Sequence, residues 1–307
     1  MFKVIVPTLN AAKDWPMFAR SLLGSVVPDQ VLIIDSESTD DTVSLAARAG
    51  FQVCSTPRSE FNHGGTRQRT VEMFPDAEIL VFLTQDAVLE GDGALASLLT
   101  PFTDRTVGAA YGRQLPRPGA RAIEAHARSF NYSAHSEIRT LASRTRLGIR
   151  AAFLSNSLAA YRRSVLVEVG GFPTNVIFGE DTVTAARMLL AGYKVAYVAE
   201  ARAYHSHPYS PAQEFRRYFD IGVLHSREGW LLKEFGRVGG EGKRFVISEL
   251  RYLLRHEPWS VPSAFLRTLT KLLGYRLGLM ESKMTIEIKR RLSMHPKFWK
   301  NSEHSRP

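Results

Sequence analysis

The apolar run Ile79–Ala87, ILVFLTQDA, ends in a carboxylate, Asp86. Such a group is costly to bury unpaired. A hard cation, Mg²⁺ or Mn²⁺, would balance it and could also bridge a substrate diphosphate. The plainer reading is an Asp that caps the following turn. Tyr204-His205-Ser206-His207 places two imidazoles within three residues, after another strand-like run. That spacing suits metal ligands as well as structural histidines. Phe178-Gly179-Glu180-Asp181-Thr182 opens a helical pattern. Acids there complement the helix dipole, but an exposed one is also placed to take a proton from a hydroxyl. Arg58, His63 and Arg67 surround Gly64-Gly65 in RSEFNHGGTR. Glycines at a helix start beside arginines suit a phosphate, and equally a simple turn into the helix.

The elements that must hold these groups alternate. Short apolar runs predict strands at Phe2–Pro7, Val31–Asp35, Phe51–Ser55, Ile79–Thr84, Leu154–Tyr161 and Lys194–Val198. Helical patterns lie between them at Trp15–Ser25, Asp41–Gly50, Gly64–Phe74, Gly91–Leu99 and Asp181–Gly192. Strands separated by helices imply crossover connections and a mostly parallel sheet. Ligands of such sheets sit beyond the carboxyl ends of the strands. Thr8 and Asn10 follow the first strand, Asp35 and Ser36 the second, Gln85 and Asp86 the fourth. Asp35 could accept a pyrimidine N–H or a ribose hydroxyl, or cap a helix, a role Asp40 fills better. Residues 117–150 predict a helical excursion at the rim of the site. After Pro211 only helical patterns follow, roughly 212–236, 243–256 and 262–292, with a break at Gly239–Gly242.

The 307 residues, 44% of them apolar, suffice for a large α/β domain with an appendage. A single cysteine, Cys54, excludes an intrachain disulfide and fits a reducing compartment. The opening MFKVIVPTLN does not read as a signal peptide, and no apolar run is long enough to span a membrane. The expectation is a cytoplasmic protein. Gly242-Lys243 lacks the upstream glycine of a phosphate-binding loop, and no Gly-x-Gly-x-x-Gly follows the first strand. Asn131-Tyr132-Ser133 carries no weight as a sequon without a secretory signal.

Taken together, VPTLN, IIDSESTDDT, LTQDA, VGGFP, GEDT and ARAYHSH resemble, in order and spacing over residues 2–210, the inverting GT-A glycosyltransferases of family 2. EFNHGGTR and QEFRRYFDIGVLH are similar to the bacterial subgroup using dTDP-L-rhamnose. The resemblance implies an α/β GT-A nucleotide-diphospho-sugar transferase fold, with a mostly parallel central sheet flanked by helices. It divides the chain into a catalytic domain, 1–212, and a basic helical extension, 213–307. Thr8, Asn10, Asp35 and Ser36 would line the nucleoside pocket. Asp86 would bind the metal, with His205 near metal and diphosphate and His207 a competing ligand. Asp181 would be the catalytic base, with Glu180 beside it, and Arg67 would face the diphosphate or donor sugar. Thr84 replaces the frequent first acid of Asp-x-Asp, and Ser36 a frequent second Asp. The expected reaction moves L-rhamnose from dTDP-β-L-rhamnose to a hydroxyl of a surface glycan or lipid-linked acceptor. A different nucleotide sugar is the first alternative. A basic nucleic-acid-binding protein is the second, disfavoured by the strand-end acids and the absence of a stacking pattern; no nucleic acid is expected as partner.

The net charge of +10 is uneven. Residues 1–212 carry 21 Lys and Arg against 20 Asp and Glu; residues 213–307 carry 19 against 10. Leu266, Leu269, Leu273, Leu277 and Met280 form a helical stripe, with Arg267, Lys271 and Arg276 largely off it. Such a stripe commonly packs on its own domain. The alternative, favoured here, is peripheral attachment to an anionic membrane surface on the inner face of the plasma membrane.

Overall fold

A computed structural model describes residues 1–236 and 239–301. Its strands are β1 (Phe2–Thr8), β2 (Val31–Asp35), β3 (Gln52–Ser55), β4 (Ile79–Leu83), β5 (Val88–Leu89), β6 (Val107–Leu115), β7 (Glu137–Arg139), β8 (Leu158–Arg162) and β9 (Lys194–Tyr204). The helices of the first two thirds are α1 (Trp15–Leu23), α2 (Thr42–Arg48), α3 (His63–Met73), α4 (Ala94–Leu99), α5 (Ala122–Asn131), α6 (Arg144–Leu147), α7 (Arg163–Glu168) and α8 (Glu180–Leu190). Then come α9 (Pro211–Arg227), α10 (Gly229–Phe235), α11 (Glu241–His256), α12 (Val261–Leu279), α13 (Ile286–Leu292) and α14 (Pro296–Asn301). Residues 237–238 and 302–307 of the expected extension lie outside the described residues.

The sheet runs β3-β2-β1-β4-β8-β6-β9-β5, with β7 also on β9. Six of the nine strands, β1–β4, β6 and β9, point the same way. β8 is antiparallel to β4 and β6, and β5 and β7 are antiparallel to β9. Period-two alternation splits each central strand between two cores. Ile5, Leu32, Ile34, Leu80 and Phe82 face one, shared with α8 and with Leu224, Leu231 and Phe235 of α9 and α10. Val4, Val6, Val31, Ile33, Val81 and Leu83 face the other, under Trp15, Phe18 and Leu22 of α1.

Three strands escape the hydrophobic pattern. β6 is rich in Gly and Ala, β5 is two residues long, and β7 interrupts the expected excursion at 117–150. The strand expected at Leu154–Tyr161 forms only from Leu158, because Ser155-Asn156-Ser157 turns its side chains into a polar network. β9 runs six residues past its expected end. An irregularity between its Val198 and Arg202, opposite Gly112 and Arg113, carries it to the end of β6.

α12 crosses α9 on small residues instead of leucines. A Cβ on Gly278 would lie 2.1 Å from the Phe219 carbonyl oxygen, and one on Gly274 2.3 Å from that of Phe215. The backbones therefore pack directly, and Phe265, Leu266, Leu269, Leu272 and Leu273 of α12 point outward. Gly278→Leu is expected to lower the thermal midpoint by several degrees, since overpacking costs about 1–3 kcal/mol or more. Leu273→Ser, on the exposed face, should stay within about 0.5 kcal/mol of the parent. Equal melting of all three proteins would show that the crossing yields without cost.

Candidate active site

Asp86 follows β4, and His205 and His207 follow β9. Nε2 of His205 lies 3.4 Å from Asp86 Oδ1, and Nε2 of His207 lies 3.4 Å from Oδ2. The two Nε2 atoms are 3.2 Å apart. Burial works against the Asp86 charge, but hydrogen bonding and charge from His205, with Thr84 and His207, hold its carboxyl well below the usual range. Burial, with His205 beside it, pushes His207 down to about 4, so its imidazole is neutral. One carboxylate and imidazole nitrogens converging at this spacing are a donor set that fits a divalent cation. The three residues expected to hold a metal thus stand within reach of one ion.

Gln114, at the end of β6, orders this cluster from behind. Its Oε1 faces His205 Nδ1 at 3.1 Å and accepts from Arg128 Nη1. Its Nε2 donates to Ser155 and Ser157. Between those serines, Asn156 reaches the second half of the site. Its backbone N–H donates to Asp181 Oδ2 at 3.2 Å, and its Nδ2 to Glu180 Oε1 at 2.9 Å. Tyr161 locks Asn156 from below, donating to its Oδ1 at 2.8 Å. One tripeptide thus fixes the acidic pair of α8 relative to the Asp86 cluster.

The two acids of that pair diverge in environment. Glu180 is buried and ion-paired to Arg67 at 2.8 Å. Burial opposes its charge, but Arg67, His63 and Asn156 keep its carboxyl below the usual range. Asp181 is half-buried at the start of α8. Burial and the neighbouring Glu180 charge push its carboxyl up to about 7, against the N–H groups of Thr182 and Asn156. A carboxylate titrating near neutrality and reachable from solvent is equipped as a general base.

Several expected ligand residues do other work. Arg67 does not face an open diphosphate site; its guanidinium is buried against Glu180 and the His63 carbonyl. At Gly64 a Cβ would sit 1.8 Å from the Pro173 carbonyl oxygen, so glycine there answers a packing need. Asn62 caps α3 by accepting from Gly65 N–H. The His63 ring packs edge-on against Phe61 and His295. Gln85 clamps the chain after β1, accepting from Leu9 N–H at 2.7 Å and donating to its carbonyl at 3.1 Å.

The residues expected at the nucleoside side are held by a dense hydrogen-bond network. Asp35 is buried; it accepts from Thr8 Oγ1, and from the backbone N–H and hydroxyl of Ser38. Ser36 Oγ is buried without a hydrogen-bond partner among the described residues. Asn10 and Glu37 hold φ of 50° and 57°, in the left-handed region that non-glycine residues seldom adopt. Side chains compensate: Asn10 Oδ1 accepts from Thr39 N–H, and Glu37 Oε2 from the N–H of exposed Arg58. Both outliers stand just past the ends of the adjacent strands β1 and β2, where ligands of such sheets sit.

Gln114, Arg117, Arg128 and Asn156 were not anticipated. Arg117 donates to the Asp86 carbonyl at 2.8 Å. Their signal was weak: Gln114 ends an unrecognised strand, and Asn156 hides inside a misplaced one.

Residues 2–219 match the protein family described as Glycosyltransferase like family 2. The chain is 44% identical over 304 residues to the O-antigen chain rhamnosyltransferase RfbN of Salmonella typhimurium, covering 98% of this chain and 97% of that one. It is 45% identical over 308 residues to WbaN of Salmonella anatum, also an O-antigen chain rhamnosyltransferase, covering 99% and 97%. Among solved structures, the mannosyltransferase PcManGT of Pyrobaculum calidifontis, with GDP-Man and Mn²⁺, superposes with a TM-score of 0.56 at 20% identity, covering 99% of this chain and 86% of that one. Glucosyl-3-phosphoglycerate synthase of Mycobacterium tuberculosis gives 0.52 at 19%, covering 75% and 80%.

Proposed function

The chain belongs to glycosyltransferase-like family 2 and has its GT-A fold, and from that premise we propose that it is an inverting, metal-dependent rhamnosyltransferase of surface-glycan assembly. The observation that carries the mechanism is the Ser155-Asn156-Ser157 bridge, which ties Asp181 to the Asp86–His205–His207 cluster. The relatives named above support rhamnose as the sugar and an O-antigen chain as the acceptor. Residues 1–212 form the catalytic domain in this reading, and 213–307 the basic helical extension.

Asp86, His205 and His207 would hold Mg²⁺ or Mn²⁺, which supplies positive charge to a leaving nucleoside diphosphate. Asp181 takes the proton of an acceptor hydroxyl. The acceptor oxygen bonds to the anomeric carbon as the bond to the diphosphate oxygen breaks, and that electron pair leaves with dTDP. A single displacement inverts the centre, so a β-linked donor yields an α-rhamnoside. Glu180, fixed by Arg67, raises the basicity of Asp181 through its charge. Thr8, Asn10, Asp35 and Ser36 shape the nucleoside end, with Gln85 holding the loop above it. Incubation with dTDP-β-L-rhamnose and a panel of glycan and lipid-linked acceptors, with product linkage read by NMR, tests this. Transfer from UDP-, GDP- or other dTDP-sugars in preference to dTDP-rhamnose would reassign the donor.

The extension fits an anionic bilayer as its partner. Among the described residues, no helix is long and apolar enough to cross a membrane. Yet Trp259 is 74% exposed, Phe265 66% and Leu273 54%, with Leu254, Leu266, Leu269 and Leu272 also exposed nearby in the chain. Leu266, Leu269, Leu273 and Met280 of the stripe are exposed, while Gly274 and Gly278 make the close contact with α9 and Leu277 packs into the cluster around Phe219 and Ile177. Exposed Lys243, Arg244, Arg251, Arg255 and Arg276 accompany this apolar surface. Arg267 and Lys271 instead turn inward to Glu214. Each Lys or Arg near an anionic surface adds about 1 kcal/mol. Flotation with anionic liposomes should recover the protein at low salt and lose it at high salt. Leu269→Glu/Leu273→Glu should weaken recovery. Equal recovery in the soluble fraction with neutral and anionic vesicles, or a salt-resistant dimer using the same face, would discard the bilayer.

A further inference from the structure

Two guanidinium groups converge on the Asp86 cluster, and neither is ion-paired to a carboxylate among the described residues. Arg128 reaches it through Gln114, whose Oε1 also faces His205. Its Nε is buried with no hydrogen-bond partner among the described residues. Arg217 of α9 reaches it through Tyr209: its Cζ lies 5.8 Å from the Tyr209 ring, which stacks on His207 at 5.1 Å. Phe178 holds the same guanidinium from another side, at 5.9 Å. Arg128, His207 and Tyr209 line one cleft.

Four other cations of this region are compensated: Arg67 by Glu180, Arg267 and Lys271 by Glu214, and Arg121 by Glu257. Arg128, half-buried without a counter-charge, is costly unless an anion joins it, whereas Arg217 is exposed and adds its charge from the solvent side. Burial pushes the Arg128 guanidinium down from its usual range, and the Arg217 charge adds to that. Two planar donors beside a divalent-cation site match the oxygens of a diphosphate.

We propose that Arg128 and Arg217 bind the diphosphate of the nucleotide-sugar donor, with Gln114 and Tyr209 as the positioning residues that aim them. The inference rests on the glycosyltransferase reading and moves the cationic role expected of Arg67 to two residues from α5 and α9. It also makes the donor site incomplete without the start of the C-terminal extension. The phosphates meet the two arginines on the side of the cluster facing Tyr209.

Calorimetric titration of the full chain with dTDP, UDP and GDP in the presence of Mg²⁺ tests the assignment. Arg128→Met and Arg217→Met are each expected to weaken binding of the preferred nucleoside diphosphate by about 10- to 100-fold, the effect of losing a charged hydrogen bond. Arg128→Lys should recover part of the loss. Arg217 is exposed, so its variant keeps the test valid even where Arg128→Met folds poorly. Unchanged affinity in Arg217→Met, and in Arg128→Met where it folds, with a raised KM for a diphosphate-linked acceptor alone, would overturn the assignment and place these cations on the acceptor side. Failure of the parent protein to bind any of the three nucleotides would instead overturn the donor reading itself.

Discussion

Asp181→Asn is expected to reduce kcat by about 10²–10⁴-fold while leaving nucleotide affinity and the melting midpoint near those of the parent. The exchange preserves volume and removes the proton acceptor. Its one remaining carbonyl oxygen can still accept from Thr182 N–H, as Oδ1 does at 2.7 Å. The pH profile of the parent supplies a second readout. The base works deprotonated, and burial with the Glu180 charge sets its carboxyl at about 7. kcat/KM should therefore climb about tenfold per pH unit below 7 and level off above it. A rate flat between pH 5 and 8, or near-parental turnover in the Asn variant, would remove Asp181 from the mechanism.

Asp86→Ala is expected to lower activity by about 10²–10³-fold and to abolish its rescue by Mg²⁺ or Mn²⁺ after chelation. Metal charge on a leaving group contributes several kcal/mol, and each 1.36 kcal/mol is a factor of ten. Asp86 supplies the only carboxylate of the cluster; two imidazoles alone are a poor site for a hard cation. The variant should also lose the Mn²⁺ signal change seen by electron paramagnetic resonance when the parent binds the ion, a readout independent of turnover. Full parental activity in excess chelator would show that arginines alone stabilise the leaving group.

The ordered motifs from VPTLN to ARAYHSH sufficed for the family, and strong apolar runs sufficed for β1, β2 and β4. A central strand is buried on both faces, so its composition alone announces it. Asp86, His205 and His207 were legible for a related reason: polar groups at the ends of apolar strands need a purpose. Asp181 was visible as an acid at a helix start, but its basicity was not. That depends on Glu180 next to it and on burial, which is set by elements distant in sequence.

Tertiary structure decided the partners. Arg67 and Glu180 stand 113 positions apart, and no local pattern pairs them. Gly64 looks like a phosphate turn until the Pro173 carbonyl is seen against it. β6 lacked a strand signature because small residues fit where neighbours approach closely, and with it went Gln114, the hinge of the site. In α12 the leucine stripe announced an apolar face, yet glycines 274 and 278 took the packing contact, because backbone approach to α9 leaves no room for side chains. Sequence determines which groups are costly to leave alone; only the fold determines what stands opposite each of them.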